Sequence, residues 1–179
     1  MSGARSQLSD RAAELGLAFD RSFAEARPPD PPPSEDLLAI RLGSEPYALR
    51  LTEIAGVFAG RKITGLPGGI PALIGIAGFR GTILPVYDLP VLLGHPPVET
   101  MRWLVIAAGT PVAFAFSGMD GHIRLLRDAI APRAAGQDER RYVQEFARTP
   151  GLVRPVVHLP SVLDAIKARL PNDARTKER

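Results

Sequence analysis

Cysteine is absent from this 179-residue chain, which excludes disulfide frameworks, thiolate metal sites and cysteine nucleophiles. The absence agrees with a cytoplasmic address. No run of about 18 apolar residues occurs, so no direct membrane insertion is expected. The opening MSGARSQLSDRAAEL mixes charges among its apolar positions and lacks the core of a signal peptide. Aromatic residues make up only 6% of the chain, too few for the interleaved aromatic and basic strands of a nucleic-acid platform. The net charge of +3 comes from the stretch Lys167 to Arg179, which carries five basic and two acidic residues; the remainder holds 17 of each and is neutral. With no concentrated basic face, no nucleic acid is expected as partner.

Chemistry-bearing motifs are equally scarce. His95, His122 and His158 are far apart and lack the spacing of metal ligands. Ser117, Asp120 and His122 crowd one segment, whereas a nucleophile, base and orienting acid normally converge from separate parts of a fold. The glycine-rich GLPGGIPALIGIAG contains no Gly-Lys-Ser/Thr and is read as turns rather than a phosphate loop. Asp88 lacks the acidic neighbours and parallel α/β pattern of a phospho-acceptor. No catalytic, metal or cofactor residues are assigned, and the chain is read as a non-enzyme. An enzyme with an unrecognised site and a nucleic-acid-binding small barrel remain the competing classes.

What is present is organised in four parts. Residues 1–27 are read as an N-terminal amphipathic helix, with Leu8, Ala12, Leu15, Phe19 and Phe23 on one stripe. Residues 28–36 form a Pro-rich linker, five of the six residues from Pro28 to Pro33 being proline. Residues 37–166 read as short β segments punctuated by Gly and Pro, the signature of small barrels. Residues 167–179 are a basic tail without expected order. Within the β region, a hairpin at 37–51 precedes strands expected at 61–66, 73–79, 82–88, 103–108, 112–116, 122–126 and 152–158. Residues 138–147 fit either helix or irregular chain.

An internal repeat orders these segments. Leu38-Ala39-Ile40, then Gly43, Pro46, Ala48 and Leu49, corresponds to Leu104-Val105-Ile106, then Gly109, Pro111, Ala113 and Phe114. The run Ile83 to Pro90 corresponds to the run Val153 to Pro160, both parts recurring at an offset of 65–70 residues. The repeats, about 37–94 and 103–164, predict two related subdomains with a shared interface, since either alone is marginally small. Leu-Pro at 89–90 and at 159–160 places proline in the first turn of a short helix.

On LLAIRLGSEPYALRL, TEIAGVF, the ITGLP turn and LIGIAGFRGTILPVYDLPVLLG, the segment 37–94 resembles the CheW-like domain. RWLVIAAGTPVAFAF and LVRPVVHLPSVL carry a looser likeness across 103–164. The resemblance implies a mainly β fold of two pseudo-repeated five-stranded small barrels. It also implies a non-catalytic adaptor in chemotaxis-like signal transduction. Its partners are the regulatory domain of a CheA-type histidine kinase and the cytoplasmic tip of a methyl-accepting chemoreceptor. By position, Ile54 corresponds to a kinase-side apolar contact, and Gly75 and Arg80 to receptor-coupling positions. Arg80-Gly81 forms a tight strand connection, and Ile54 and Val57 are expected three residues apart on a short helical turn. Two positions depart from the pattern: Gly78 stands where the family commonly has Asn, and Gly56 where it often has a glutamate facing the turn arginine. Glu53 is the nearest substitute for that carboxylate. These departures leave open a divergent CheW-like module serving another chemosensory-type pathway.

Overall fold

The computed structural model describes residues 32–67, 70, 72–134 and 140–169. The expected N-terminal helix, the first residues of the linker and the tail beyond 169 lie outside the described residues. Ser34–Leu42 (β1) is already strand, so the β region begins before residue 37. Glu45–Arg50 (β2) completes the first hairpin, and Leu51–Glu53 makes one 3-10 turn before Ile54–Ala59 (β3). Leu73–Phe79 (β4) and Thr82–Asp88 (β5) follow, then a single helical turn, Leu89–Leu92 (α1). Trp103–Ala107 (β6), Ala113–Phe116 (β7) and Gly118–Leu126 (β8) come next. A second 3-10 turn, Arg127–Ala129, leads to Ile130–Pro132 (β9), Val143–Thr149 (β10), Leu152–Val157 (β11) and the helix Leu159–Arg169 (α2). The undecided segment 138–147 therefore ends in strand, and of 61–66 only Thr64 takes part in β-pairing, bridging Ile76 of β4.

The strands form a six-stranded sheet, β8-β1-β2-β11-β10-β9, and a five-stranded sheet, β3-β6-β7-β5-β4. The sequence repeats are therefore not the spatial units: the hairpin of each repeat sits in the sheet built by the rest of the other. The registers keep the repeat nonetheless. β5 pairs parallel with β7 at Val86↔Ala113 and Tyr87↔Phe114. β11 pairs parallel with β2 at Val156↔Ala48 and Val157↔Leu49. The sixth strand, β9, pairs with β10; its counterpart in the five-stranded sheet is the lone Thr64–Ile76 bridge.

Side-chain size explains the exchange. Successive strand residues face opposite ways, and on the hairpins the large ones share one face. Tyr47 and Leu49 on β2, and Phe114 and Phe116 on β7, enter a central core with Tyr87, Val105, Val157 and Val162. The small alternates turn away into each sheet's own cluster. Ala113 and Ala115 pack with Leu84 and Val86, and Ala48 packs with Leu37 and Val156. Each fully buried Phe or Leu contributes about 2 kcal/mol, so the layer between the sheets dominates and neither repeat can retain its share alone. Asp88 caps α1, its Oδ1 accepting the Val91 N–H at 3.0 Å. Burial pushes this carboxyl's pKa up.

Candidate docking site

The β4–β5 hairpin closes on a two-residue turn, Arg80-Gly81, between the paired Phe79 and Thr82. Both turn residues have positive φ, 47° and 83°, the geometry of a type I′ turn whose twist suits a hairpin. A non-glycine residue there costs about 1 kcal/mol, so Arg80 holds its side chain outward from a strained, fixed position. The corresponding hairpin, β10–β11, turns instead through Pro150-Gly151, with only Gly151 at positive φ, 75°.

Ile54 and Val57 do not occupy a helical turn. The 3-10 turn stops at Glu53, and both residues belong to β3, antiparallel to β6 with a register shift between Ile54 and Gly56. The β-branched and aromatic content of IAGVFA favours an extended strand over another helical turn. Glu53 serves elsewhere as well. Its Oε2 accepts the Leu159 N–H of α2 at 2.9 Å, and its Oε1 lies 4.0 Å from Arg50, so it is not the carboxylate for Arg80.

Between β3 and the β4–β5 turn runs an open groove of about 410 Å³, walled by Val57, Phe58, Arg80, Leu84, Ile106 and Pro111. Phe58 meets Phe79 edge-on, ring centres 4.9 Å apart, and Arg61 covers the same Phe58 ring at 5.4 Å. The groove thus joins Val57 to Arg80. Ile54, Gly75 and Gly81 do not line it. Ile54 packs partly buried against the central core, as Val57 also does, and Gly81 completes the turn. Gly75 is buried at the β4 register shift with φ 153°. A Cβ there would stand 2.2 Å from the Thr64 carbonyl oxygen, so glycine is what lets the Thr64 segment approach β4. Phe58, Pro111 and Arg61 were not among the expected site residues. Their only sequence signal was proximity to β3 or to a turn, and which face they occupy depends on the register.

The residues set aside as a triad have separate partners. Ser117 Oγ accepts the Gly43 N–H and donates to the Arg41 carbonyl, both at 2.9 Å. Asp120 pairs with Arg41 at 2.8 Å and Arg154 at 2.7 Å. Burial raises its carboxyl, but the hydrogen bonds from both arginines outweigh that and leave its pKa below the usual range. His122 and Arg124 both meet Asp36 at 2.8 Å, and the hydrogen bond from Arg124, then that from His122, lowers the half-buried Asp36 carboxyl to about 2. His95 Nε2 shares a 2.7 Å hydrogen bond with the Tyr47 hydroxyl. His158 Nδ1 lies 2.7 Å from Ser161 Oγ in the first turn of α2.

Among the described residues no helix is long and apolar enough to cross a membrane. The chain resembles a crystallographically solved scaffolding protein CheW from Thermoanaerobacter tengcongensis with a TM-score of 0.63 at 20% identity, covering 70% of this chain and 90% of that one. A probable chemotaxis protein CheW of Rhizobium etli is 27% identical over 74 residues, which is 41% of this chain and 48% of that relative, so the alignment spans about half the relative's length. The family model for the CheW-like domain matches residues 36–167. With that match covering both sheets and α2, the chain belongs to the CheW-like domain family.

Proposed function

We propose that this protein is a non-catalytic cytoplasmic scaffold of a chemotaxis-like pathway, coupling methyl-accepting chemoreceptor tips to the regulatory domain of a CheA-type histidine kinase. The observation that carries the reading is the groove of the five-stranded sheet, where the apolar wall at Val57 meets an outward arginine that makes no ion pair among the described residues. An apolar floor with one fixed charge at its rim suits a protein partner: the floor supplies affinity and the charge orients it. Each sheet is read as a small barrel, the Phe58–Phe79 contact drawing the margins of the five-stranded one together. Ile54 and Gly75 act from behind the groove, Ile54 by seating β3 on the core and Gly75 by admitting the Thr64 segment. Gly81 sets the direction of Arg80.

Capture of the kinase regulatory domain from the same genome, and separately of a receptor tip fragment, tests this. Both should bind the wild type, and Ile54→Arg should abolish kinase capture. Because Ile54 touches the core, Arg80→Glu serves as a second variant on an exposed turn, with circular dichroism reporting the fold of each. Loss of neither interaction in folded variants removes the reading.

A divergent adaptor for another chemosensory-type pathway is the second reading, favoured by Gly56. A Cβ there would come within 3.0 Å of the Phe58 ring, so a glutamate at this place requires Phe58 to move. The groove is therefore shaped by an aromatic ring where the family resemblance implies a carboxylate. Failure of kinase and receptor capture alongside capture of components from a parallel signalling cluster would select this reading.

A further inference from the structure

An unpaired strand edge invites addition of another strand, and folded proteins blunt such edges with charges, proline, short length or covering segments. The two sheets present four edges. On β4, Thr64 covers the edge through paired hydrogen bonds with Ile76 at 2.8 and 2.9 Å. β9 is three residues long and ends in proline. β8 carries Asp120, His122 and Arg124 along its exposed face, each tied to a charged partner. β3 itself carries neither a charge nor a proline. Its sequence is Ile-Ala-Gly-Val-Phe-Ala, and among the described residues no backbone or side-chain hydrogen bond reaches it on the side away from β6.

The charge around this edge is equally one-sided. Between Ile54 and Phe116 the basic residues are Arg61, Lys62, Arg80 and Arg102, all exposed, and the acidic ones are Glu99 and the buried Asp88. None of the four cations has an ion pair among the described residues. Three are tied to the strand's surroundings: Arg61 lies over Phe58 of β3, Arg80 lines the groove beside it, and the Arg102 carbonyl accepts the Gly60 N–H at 3.0 Å. In and beside the six-stranded sheet, by contrast, Arg41, Arg50, Arg124, Arg127 and Arg154 have carboxylate partners, and Arg148 on β10 has none among the described residues.

We infer that β3 is a strand-addition site whose occupant is an extended, carboxylate-bearing segment of a partner protein. The segment's backbone pairs with the free edge of β3, its apolar side chains lie on the Val57 face, and its carboxylates, on the Phe58 face, meet Arg80 and Arg61. The inference deepens the docking role proposed above and rests on it. It adds the conformation and the charge of the docked segment.

The test uses the full chain and a synthetic peptide of about eight alternating valines and glutamates, a typical strand length. Binding is followed by fluorescence anisotropy, and edge pairing by amide hydrogen exchange. Exchange should slow within residues 54–59 and stay unchanged on β8. Methylating the peptide's backbone nitrogens along one edge should abolish binding, Arg80→Glu should weaken it about fivefold, and added salt should weaken it further. No binding, binding that survives methylation along either edge, or binding that leaves β3 exchange unchanged overturns the inference. So does concentration-dependent protection of β3 without peptide, which would make a second copy of this chain the occupant. Kinase capture that succeeds while the peptide fails overturns only the strand-addition inference. Peptide binding with kinase and receptor capture both failing overturns the coupling role and leaves the strand site standing.

Discussion

Leu84 and Arg154 occupy corresponding places in the two sheets, one residue before the proline of the repeated strand. Leu84 is buried among Phe79, Val86 and Leu104. Arg154 is almost as buried, but it donates to the Ile40 and Tyr47 carbonyls and pairs with Asp120, which also holds Arg41. The same division runs through both halves of the molecule. The six-stranded sheet satisfies most of its charges internally: Arg50 reaches Glu35, Glu53 and Glu145, and Arg127 reaches Glu35 and Glu145. The five-stranded sheet has an apolar interior and, among the described residues, leaves the cations around it without ion pairs. One architecture used twice has become a self-contained half and a half with interactions left to offer.

The largest effect that would break this comparison is expected at the paired register shifts, where Gly75 and Glu145 hold equivalent places. Gly75→Ala sets a Cβ against Thr64 and should cost about 3 kcal/mol in urea unfolding. Glu145→Ala removes only part of a half-exposed charge network and should cost about 1 kcal/mol. Next comes the interior pair. Asp120→Ala leaves the buried guanidinium of Arg154 without its carboxylate and should cost about 2 kcal/mol, below the full buried-pair value because Asp120 is partly exposed. Adding Arg154→Leu copies the other sheet's solution and should recover most of that loss, a coupling that a double-mutant cycle measures directly.

Smaller still is Arg80→Asn. Asparagine tolerates positive φ better, so stability should rise by about 0.5 kcal/mol while partner capture falls. A rise in melting temperature without loss of capture would deny Arg80 its docking role. The smallest effect belongs to Asp36, whose pKa is lowered from 3.8 to about 2. A carboxyl depressed by folding adds stability above its unfolded pKa and loses it as pH falls through the folded value. Melting temperature should therefore decline between pH 3.8 and about 2. Asp36→Asn should flatten this decline without removing it, because Asp120 is lowered as well.

Local pattern made much of this readable in advance. The strands expected at 73–79 and 82–88 stand at those residues. The repeat predicted which residues are equivalent well enough that Val86 and Val156 meet Ala113 and Ala48 in matching parallel registers. What the pattern left out is long-range. Which sheet receives each hairpin depends on the large faces of β2 and β7 meeting across the core, a contact no window of sequence contains. The register shift that keeps Ile54 and Val57 on one core-facing side of β3 likewise arises from pairing with β6, so the two looked like one helical face. Glu53 was matched to Arg80 by nearness in sequence, yet it is held by a helix that begins more than a hundred residues later.

The exchange of hairpins also shapes how the chain comes to be folded. β1 and β2 are made early, but β8 and β11, which flank them in the sheet, follow only about 70 and 100 residues later. Through that interval both long edges of the first hairpin and its Tyr47–Leu49 face wait uncovered, open to the same hairpin on a neighbouring nascent chain. Correct pairing of the first hairpin therefore rests on β8 and β11 arriving before a neighbour's strands do.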